Sequence, residues 1–302
     1  MVEPQLGMSM EGLVGIARKV EELGFGYFFR SDHILPTDER RGIDSPECWT
    51  SLGVIAASTS RIKIGPLVSP IGFRNPALLA RMACTIHSTS RGRLQLGVGA
   101  GWYEAEYRAH GLSFPDFRTR VAQFTEALEI ISAMINDGRV DFEGTYFSAH
   151  TDCAPRPHGH MHTIIGGRTK LVVRLAAKFA DEWNTFRSSS SDLAGLRTLL
   201  SEGSAGRTVD VTEMGPYLIA ESQSKLEEYA ALQASVLGQR ISSKEVIARL
   251  QARGAPCGTV QSFVDQLRAM TDSGFKRLYF QTLVPQNTSM IELLADTLKR
   301  GL

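Results

Sequence analysis

The sequence predicts an α/β fold, a (β/α)8 TIM barrel, on three observations. Short apolar runs alternate with stretches whose apolar residues recur at helical spacing, and this happens about eight times from end to end. Several of the apolar runs are followed by long loops, as expected of the face of a barrel that carries chemistry. No linker interrupts the alternation, so residues 1–302 read as a single domain. A doubly wound open sheet is the competing reading, but it ordinarily uses fewer strands per domain.

The elements follow in order. Val2 to Leu6 is counted as the first strand. Leu13, Ile16, Ala17, Val20 and Leu23 share a helix face, and Gly24 closes that helix. Gly26 to Arg30 is a strand, Cys48 to Thr59 a helix and Arg61 to Val68 a strand. Asn75-Pro76 opens a helix, with proline at a permitted first-turn position. Arg93 to Val98 is the fourth strand. A long helix then carries Val121, Phe124, Leu128, Ile131 and Ile135 on one face. Arg139 to Ala149 reads as a small hairpin inserted before the fifth strand, His162 to Ile165. A helix at Leu171 to Ala180, a strand at Asp181 to Phe186 and a helix at Leu193 to Leu200 follow. Glu213 to Ala220 (strand), Lys225 to Leu237 (helix), a helix around Phe263 to Met270, Arg277 to Thr282 (strand) and Met290 to Leu302 (helix) complete the round. The loops Ser31 to Pro46, Ser69 to Pro76 and Gly99 to Pro115 follow strands two, three and four.

Composition excludes several classes of function. With 33 Lys+Arg against 32 Asp+Glu and no basic block, nucleic acid is not the expected partner, because phosphate neutralisation needs clustered cations. At 43% hydrophobic and 22% charged the chain is expected to fold rather than stay disordered. No apolar run approaches the roughly 20 residues of a membrane span, and the first residues lack the charged and apolar regions of a secretory signal. A cytoplasmic location is expected. Cys48, Cys84, Cys153 and Cys257 are scattered without a CxxC, so free thiols are expected rather than a zinc site or a redox dithiol.

Candidate chemistry gathers at the predicted strand ends. Arg30-Ser31-Asp32-His33 ends strand two, and histidine, with an ordinary pKa of about 6.5, suits proton transfer near neutrality. The alternative is that His33 merely caps the strand. Gly97-Val-Gly-Ala-Gly-Trp102 is GxGxG rather than GxGxxG and lacks the acidic residue of a dinucleotide fingerprint; its glycines would let a flat ring or a backbone approach closely. Ile165-Gly166-Gly167-Arg168-Thr169 precedes a helix. Its backbone N–H groups could meet an anion with Arg168 adding a bidentate contact, or the glycines could form a tight turn beside a solvated arginine. His158, His160 and His162 alternate before strand five with no carboxylate in step, which points to a surface loop rather than a metal; no metal site is expected. Ser188 to Ser191 is expected to be solvated loop, and no GxSxG elbow occurs.

Joined together, Val2-Glu-Pro-Gln-Leu-Gly-Met8, Glu22-Leu-Gly-Phe25, Phe29-Arg-Ser-Asp-His33, Thr59 to Pro70, Phe73 to Ala80, Gly92 to Gly111, Ile164 to Gly167 and Ala180 to Asn184 resemble the luciferase-like monooxygenase superfamily. They are most similar to its coenzyme F420-dependent oxidoreductase branch. The resemblance implies a bacterial-luciferase-like barrel with a deazaflavin or flavin across its C-terminal mouth. It implies a non-prolyl cis peptide in a bulge of strand three, which an ungapped match places at Pro66–Leu67, with Val68 beside it behind the ring. It places His33 and Asp32 near the reacting carbon, Asp32 tuning or positioning His33. Gly99, Ala100 and Gly101 would lie along the cofactor, Gly166, Gly167, Arg168 and Thr169 would hold its phosphate, and Arg30 and Trp102 would line the substrate pocket. It also implies a homodimer formed through helices of the N-terminal half.

Two departures matter. The chain starts at or inside strand one, where relatives have several more residues, so a shortened form with a less well closed barrel is expected. Trp102 stands where sugar-phosphate dehydrogenase members carry an acid, so that specific activity is not expected, and its indole offers an aromatic wall instead. The expected function is hydride transfer between coenzyme F420 and a small organic substrate. The alternatives are an FMN-dependent monooxygenase using molecular oxygen and a non-catalytic, cofactor-poor barrel.

Overall fold

A computed structural model describes residues 1–38, 40–187, 193–271, 273–284 and 287–301; the Ser188–Ser191 stretch lies outside them. In chain order the elements are α1 (Met10–Glu22), β1 (Tyr27–Arg30), α2 (Cys48–Ser58), β2 (Lys63–Pro66), β3 (Ser69–Pro70), α3 (Pro76–Thr89), β4 (Leu96–Gly99), α4 (Glu104–Ala109), α5 (Phe117–Ser132), β5 (Arg139–Glu143), β6 (Ser148–Asp152), β7 (Thr163–Gly166), α6 (Lys170–Phe179), β8 (Glu182–Phe186), α7 (Leu193–Gly203), β9 (Asp210–Pro216), β10 (Leu218–Ala220), α8 (Gln223–Val236), α9 (Ser243–Ala252), β11 (Cys257–Thr259), α10 (Val260–Thr271), β12 (Arg277–Gln281) and α11 (Thr288–Gly301).

The strands form a closed ring. β12, β9, β8, β7 and β4 pair in that order, all parallel. β4 reaches β2 through an Ile64–Leu94 bridge, with the Gln95 N–H donating to the Ile64 carbonyl at 2.8 Å. β2 pairs with β1, and Val2 bridges both Arg30, the last residue of β1, and Thr282 beyond β12. Val2, β1, β2, β4, β7, β8, β9 and β12 are therefore the eight staves of a barrel.

The first strand is much shorter than expected. Only Val2 bridges its neighbours, because Pro4 has no N–H for a ladder and Pro4–Leu6 turns into a 3-10 helix. The ring nevertheless closes there, against the expectation of a poorly closed barrel: the Val2 N–H donates to Phe29, its carbonyl accepts from Ser31, and the Thr282 N–H donates to Met1.

Local chemistry explains the helices. Asn75 caps α3 by accepting from Ala77 and Leu78, with Pro76 as the first residue, and Glu47 caps α2 by accepting from Trp49 and Thr50. α5 buries Val121, Phe124, Leu128 and Ile131, the predicted face. Each large apolar side chain buried in this way contributes about 1.5–3 kcal/mol. Phe29, Leu67, Ile164 and Tyr279 fill the barrel interior, and an outer layer joins the staves to the helices. The β5–β6 hairpin is antiparallel and precedes the fifth stave, as expected, though its second strand runs on to Asp152. Four elements escaped the sequence reading: β3 and α4, inside what looked like loops, and α9 with β11, an excursion before α10.

Because the staves are parallel, their C-terminal ends share one mouth. His33, Val68, Trp102 and Gly167 follow β1, β2, β4 and β7 at that rim.

Candidate active site

His33 sits at the mouth just after β1. Its Nδ1–H donates to the Glu106 carboxylate, at 2.9 Å from Oε1 and 3.1 Å from Oε2. Glu106 comes from α4 and is 1% exposed; the Ile34 N–H also donates to it at 3.2 Å. Its carboxylate raises the His33 pKa from the ordinary value of 6.5 against the opposing effect of burial, with smaller contributions from Glu3 and Asp32. The Trp102 ring meets the imidazole edge-on with centroids 5.6 Å apart, and Tyr103 approaches at 6.1 Å. Trp102 is 65% exposed, which suits an open wall beside His33.

Asp32 does not position the His33 ring, although its charge adds to the field on it, the tuning half of the expectation. Its carboxylate accepts from Arg74 at 2.6 and 3.1 Å and from the Ser69 hydroxyl at 2.6 Å. Burial pushes the Asp32 carboxyl up, and Arg74 pulls it the other way. Arg74 also donates to Glu47, the α2 cap, so this cluster fastens β3 and α2 together. The alternation of strand residues explains the split: Asp32 and His33 leave the strand end in different directions.

Arg30 is likewise corrected. It is 0% exposed, and its guanidinium donates to the Pro46 carbonyl at 2.8 Å and to Ser51 Oγ at 2.6 Å, against the first turn of α2. It lines no open pocket.

The non-prolyl cis peptide is Leu67–Val68, one bond later than the ungapped match placed it. The β1–β2 ladder runs through Pro66, and the Leu67 N–H still donates to the Arg30 carbonyl at 2.8 Å, so the irregular backbone begins only afterwards. Leu67 turns into the barrel interior, whereas Val68 is half-buried at the rim.

The glycines at these strand ends also accommodate the protein's own side chains. A Cβ on Gly99 would lie 2.8 Å from Val68 Cγ2, and one on Gly166 would lie 3.0 Å from both Val68 methyls. They make room for the protein's own valine. Gly101 has φ +79°, and a Cβ there would lie 2.2 Å from the Tyr107 hydroxyl. The consequence is a shelf at the ends of β2, β4 and β7 where Val68 stands between two glycines, with half-buried Ala100 alongside. A flat ring fits such a surface.

At the end of β7, Thr169 caps α6 by accepting from the Val172 N–H, and the Gly167 carbonyl accepts from Trp183 Nε1 at 2.7 Å. Arg168 donates to the Phe186 carbonyl at 3.0 Å and lies over the Phe186 ring at 5.5 Å. Its guanidinium is thus held at the rim beside the start of a helix.

The histidines before β7 lie on a loop, with His158 and His160 exposed, as expected, but the absence of carboxylates in step is corrected. His160 pairs with Asp181 at 3.0 Å and His162 with Glu182 at 3.1 Å, so carboxylates do stand in step. Among the described residues no group of three or more His, Cys, Asp or Glu could hold a metal ion.

The residues that sequence reading missed are Glu106 and Arg74. Glu106 lay in view within Trp102-Tyr-Glu-Ala-Glu-Tyr107, and two acidic residues in a short first turn are a helix-start signal.

The profile of the luciferase-like monooxygenase family matches residues 2–277. The chain belongs to this family. The relatives include the F420-dependent glucose-6-phosphate dehydrogenase of Microbacterium testaceum, 28% identical over 283 residues that cover 86% of this chain and 84% of that protein. The enzyme of that description from Nocardia farcinica is 32% identical over 205 residues, 66% of this chain and 61% of that one. The pyrimidine monooxygenase RutA of Pseudomonas syringae pv. syringae is 35% identical over 139 residues, 45% of this chain and 38% of its own. Among solved structures, an F420-dependent secondary alcohol dehydrogenase in complex with an F420–acetone adduct superposes with a TM-score of 0.80 at 18% identity, covering 98% and 97% of the two chains. Monooxygenase RslO1 from Streptomyces bottropensis gives 0.80 at 19% identity, covering 96% and 92%. At these identities the structures establish the barrel, and the family establishes an enzyme.

Proposed function

We propose that the protein is an oxidoreductase that moves a hydride between coenzyme F420 and a small organic substrate at the barrel mouth. The observation that carries this reading is the His33–Glu106 pair beside the Val68 shelf. A proton-handling group and a surface for a flat ring lie at one rim, in a chain whose full-length relatives include F420-dependent dehydrogenases.

The Val68 shelf, Gly99, Ala100 and Gly101 would support the ring, and Gly166 to Thr169 would face its phosphate at the start of α6 with Arg168, the Gly167 N–H itself being held by the Asn184 carbonyl at 3.1 Å. The deazaflavin supplies hydride chemistry when bound. His33 holds or gives the proton at Nε2, Glu106 fixes its ring, and Trp102 walls the substrate. Arg30 and Asp32 build the rim without touching substrate. Trp102 also favours a substrate other than a sugar phosphate, since an indole offers one N–H and no charge.

A second reading, an FMN-dependent monooxygenase, is favoured by the 35% identity to the pyrimidine monooxygenase. Fluorescence titration with F420 and with FMN separates them. Binding of F420 together with hydride transfer indifferent to oxygen supports the first reading. FMN binding with oxygen-dependent turnover replaces it.

A homodimer through α2 and α3 accompanies this proposal. α2 is apolar on most of its surface, with Val54 and, on α3, Leu78 exposed. Four buried free thiols fit a reducing compartment, the cytoplasm.

A further inference from the structure

Three carboxylates act on the His33 imidazole, and two cations, Arg74 and Arg30, lie near them. Glu106 from α4 is bonded to it, and Asp32 from its own loop and Glu3 from the turn after Val2 add negative potential. Arg74 is tied to Asp32 and Glu47; Arg30 bonds backbone carbonyls and Ser51, its Nη2 is unpartnered among the described residues, and its charge falls on Asp32 rather than on the imidazole. Among the described residues Glu3 accepts only from side-chain amides, Gln5 Nε2 at 2.7 Å and Gln281 Nε2 at 2.5 Å. The buried Glu106 carboxylate has only His33 and one backbone N–H as donors among the described residues. A buried carboxylate with no other counter-ion favours a cationic partner. The remaining groups beside the ring, Trp102 and Tyr103, are aromatic. Among the described residues all of the ring's hydrogen bonds run through Nδ1, which leaves Nε2 as the atom with a proton to give.

We infer that this site works in the reductive direction, with His33 stored as imidazolium and its Nε2 proton given to the heteroatom of a polarised double bond, a conjugated carbonyl or imine. The inference rests on the hydride-transfer reading above. The balance is simple. The electrophilic carbon of the substrate gains a hydride, two electrons with one hydrogen, from a reduced deazaflavin, which is thereby oxidised. The N–H bond of the imidazolium breaks, an O–H or N–H bond forms on the heteroatom, and the imidazole recovers its proton from water. Trp102 suits the planar face of such a conjugated group.

Two measurements test it. The first uses protein without cofactor, labelled with 15N-histidine and titrated from pH 5 to 9, with His33→Asn to assign the signal. His33 is expected to be imidazolium beyond its ordinary midpoint, and Glu106→Gln is expected to lower that midpoint by roughly one pH unit or more. The wild-type titration stands whether or not the variant folds. The second uses protein with F420, following 2-cyclohexen-1-one reduction by the reduced cofactor and 2-propanol oxidation by the oxidised one. Enone reduction is expected to dominate at pH 7 and to fall about tenfold per pH unit above the His33 midpoint. A His33 that is neutral at pH 7 in a protein that binds F420 overturns the direction alone. So does alcohol oxidation that dominates and rises through the His33 midpoint. Failure to bind F420 removes the hydride-transfer reading and the direction with it, while the measured state of the imidazole remains.

Discussion

The two ends of the barrel use the same pair of residue types for opposite purposes. At the mouth, buried Glu106 meets His33; at the floor, buried Glu182 meets His162. The difference lies in the other partners. Glu182 also accepts from Arg277 at 2.7 Å, from Tyr279 at 2.9 Å and from Thr212 at 2.6 Å, so its carboxylate is saturated across β8, β9 and β12. These bonds hold its pKa below the ordinary value although burial pushes it up. Glu106 has one imidazole and one backbone N–H. A saturated carboxylate locks staves together, whereas a carboxylate with a single histidine partner sets the charge of that histidine.

The largest expected effect breaks the mouth and leaves the floor intact. His33→Asn removes the proton carrier while keeping a polar side chain, so turnover should fall about 10²–10⁴-fold. The melting temperature should stay within a few degrees of wild type. An active His33→Asn protein would show that the histidine only caps β1.

Breaking the floor should give the reverse. Glu182→Ala leaves Arg277 without a counter-ion and three further donors unpaired, a loss of about 3–5 kcal/mol of stability. Chemical denaturation measures it, and folded protein at low temperature should still bind cofactor at the mouth. A loss below about 1 kcal/mol would show that the network adds little.

These two ends were unequally legible in the sequence. The alternation of periods gave away the barrel because each stave and helix buries a face with its own spacing, as α5 does with Val121, Phe124, Leu128 and Ile131. Strand one was overcounted because apolar content cannot show that Pro4 ends the ladder after Val2. His33 was visible as a residue type at a strand end. Its partner was misassigned to Asp32, because adjacency in sequence is a poor guide to which side chains meet when a chain leaves a strand. Glu106 is 73 residues from His33, and only the fold brings them together. The glycines were visible as a cluster, but the Val68 side chain that needs them was hidden in the irregular backbone after β2.

That last point can be sharpened at the mouth. Gly166→Ala places a methyl 3.0 Å from the Val68 methyls, tighter than an ordinary contact. Cofactor affinity should drop several-fold, and adding Val68→Ala should restore room between the strands and recover part of the loss. Two losses that simply add would mean that the shelf is not set by this contact.

The smallest expected effect lies away from both ends, where a carboxylate is bonded chiefly by backbone N–H groups, with one long bond from the Ser60 hydroxyl at 3.4 Å. Glu21 on α1 accepts from the N–H groups of Ser60, Arg61 and Ile62 and so pins the start of the β2 segment to α1. These bonds lower its pKa from 4.5 to about 2 against the effect of burial. A folded-state pKa below the unfolded one means the ionised form stabilises the fold above about pH 4.5, and that contribution disappears as pH falls towards 2. Glu21→Gln should therefore lower the melting temperature by a few degrees at pH 7, and the gap to wild type should close between pH 4.5 and 2. A gap of constant size across that range would assign the effect to lost packing. It would set Glu21 apart from Glu106 and Glu182, whose charges answer a histidine and an arginine.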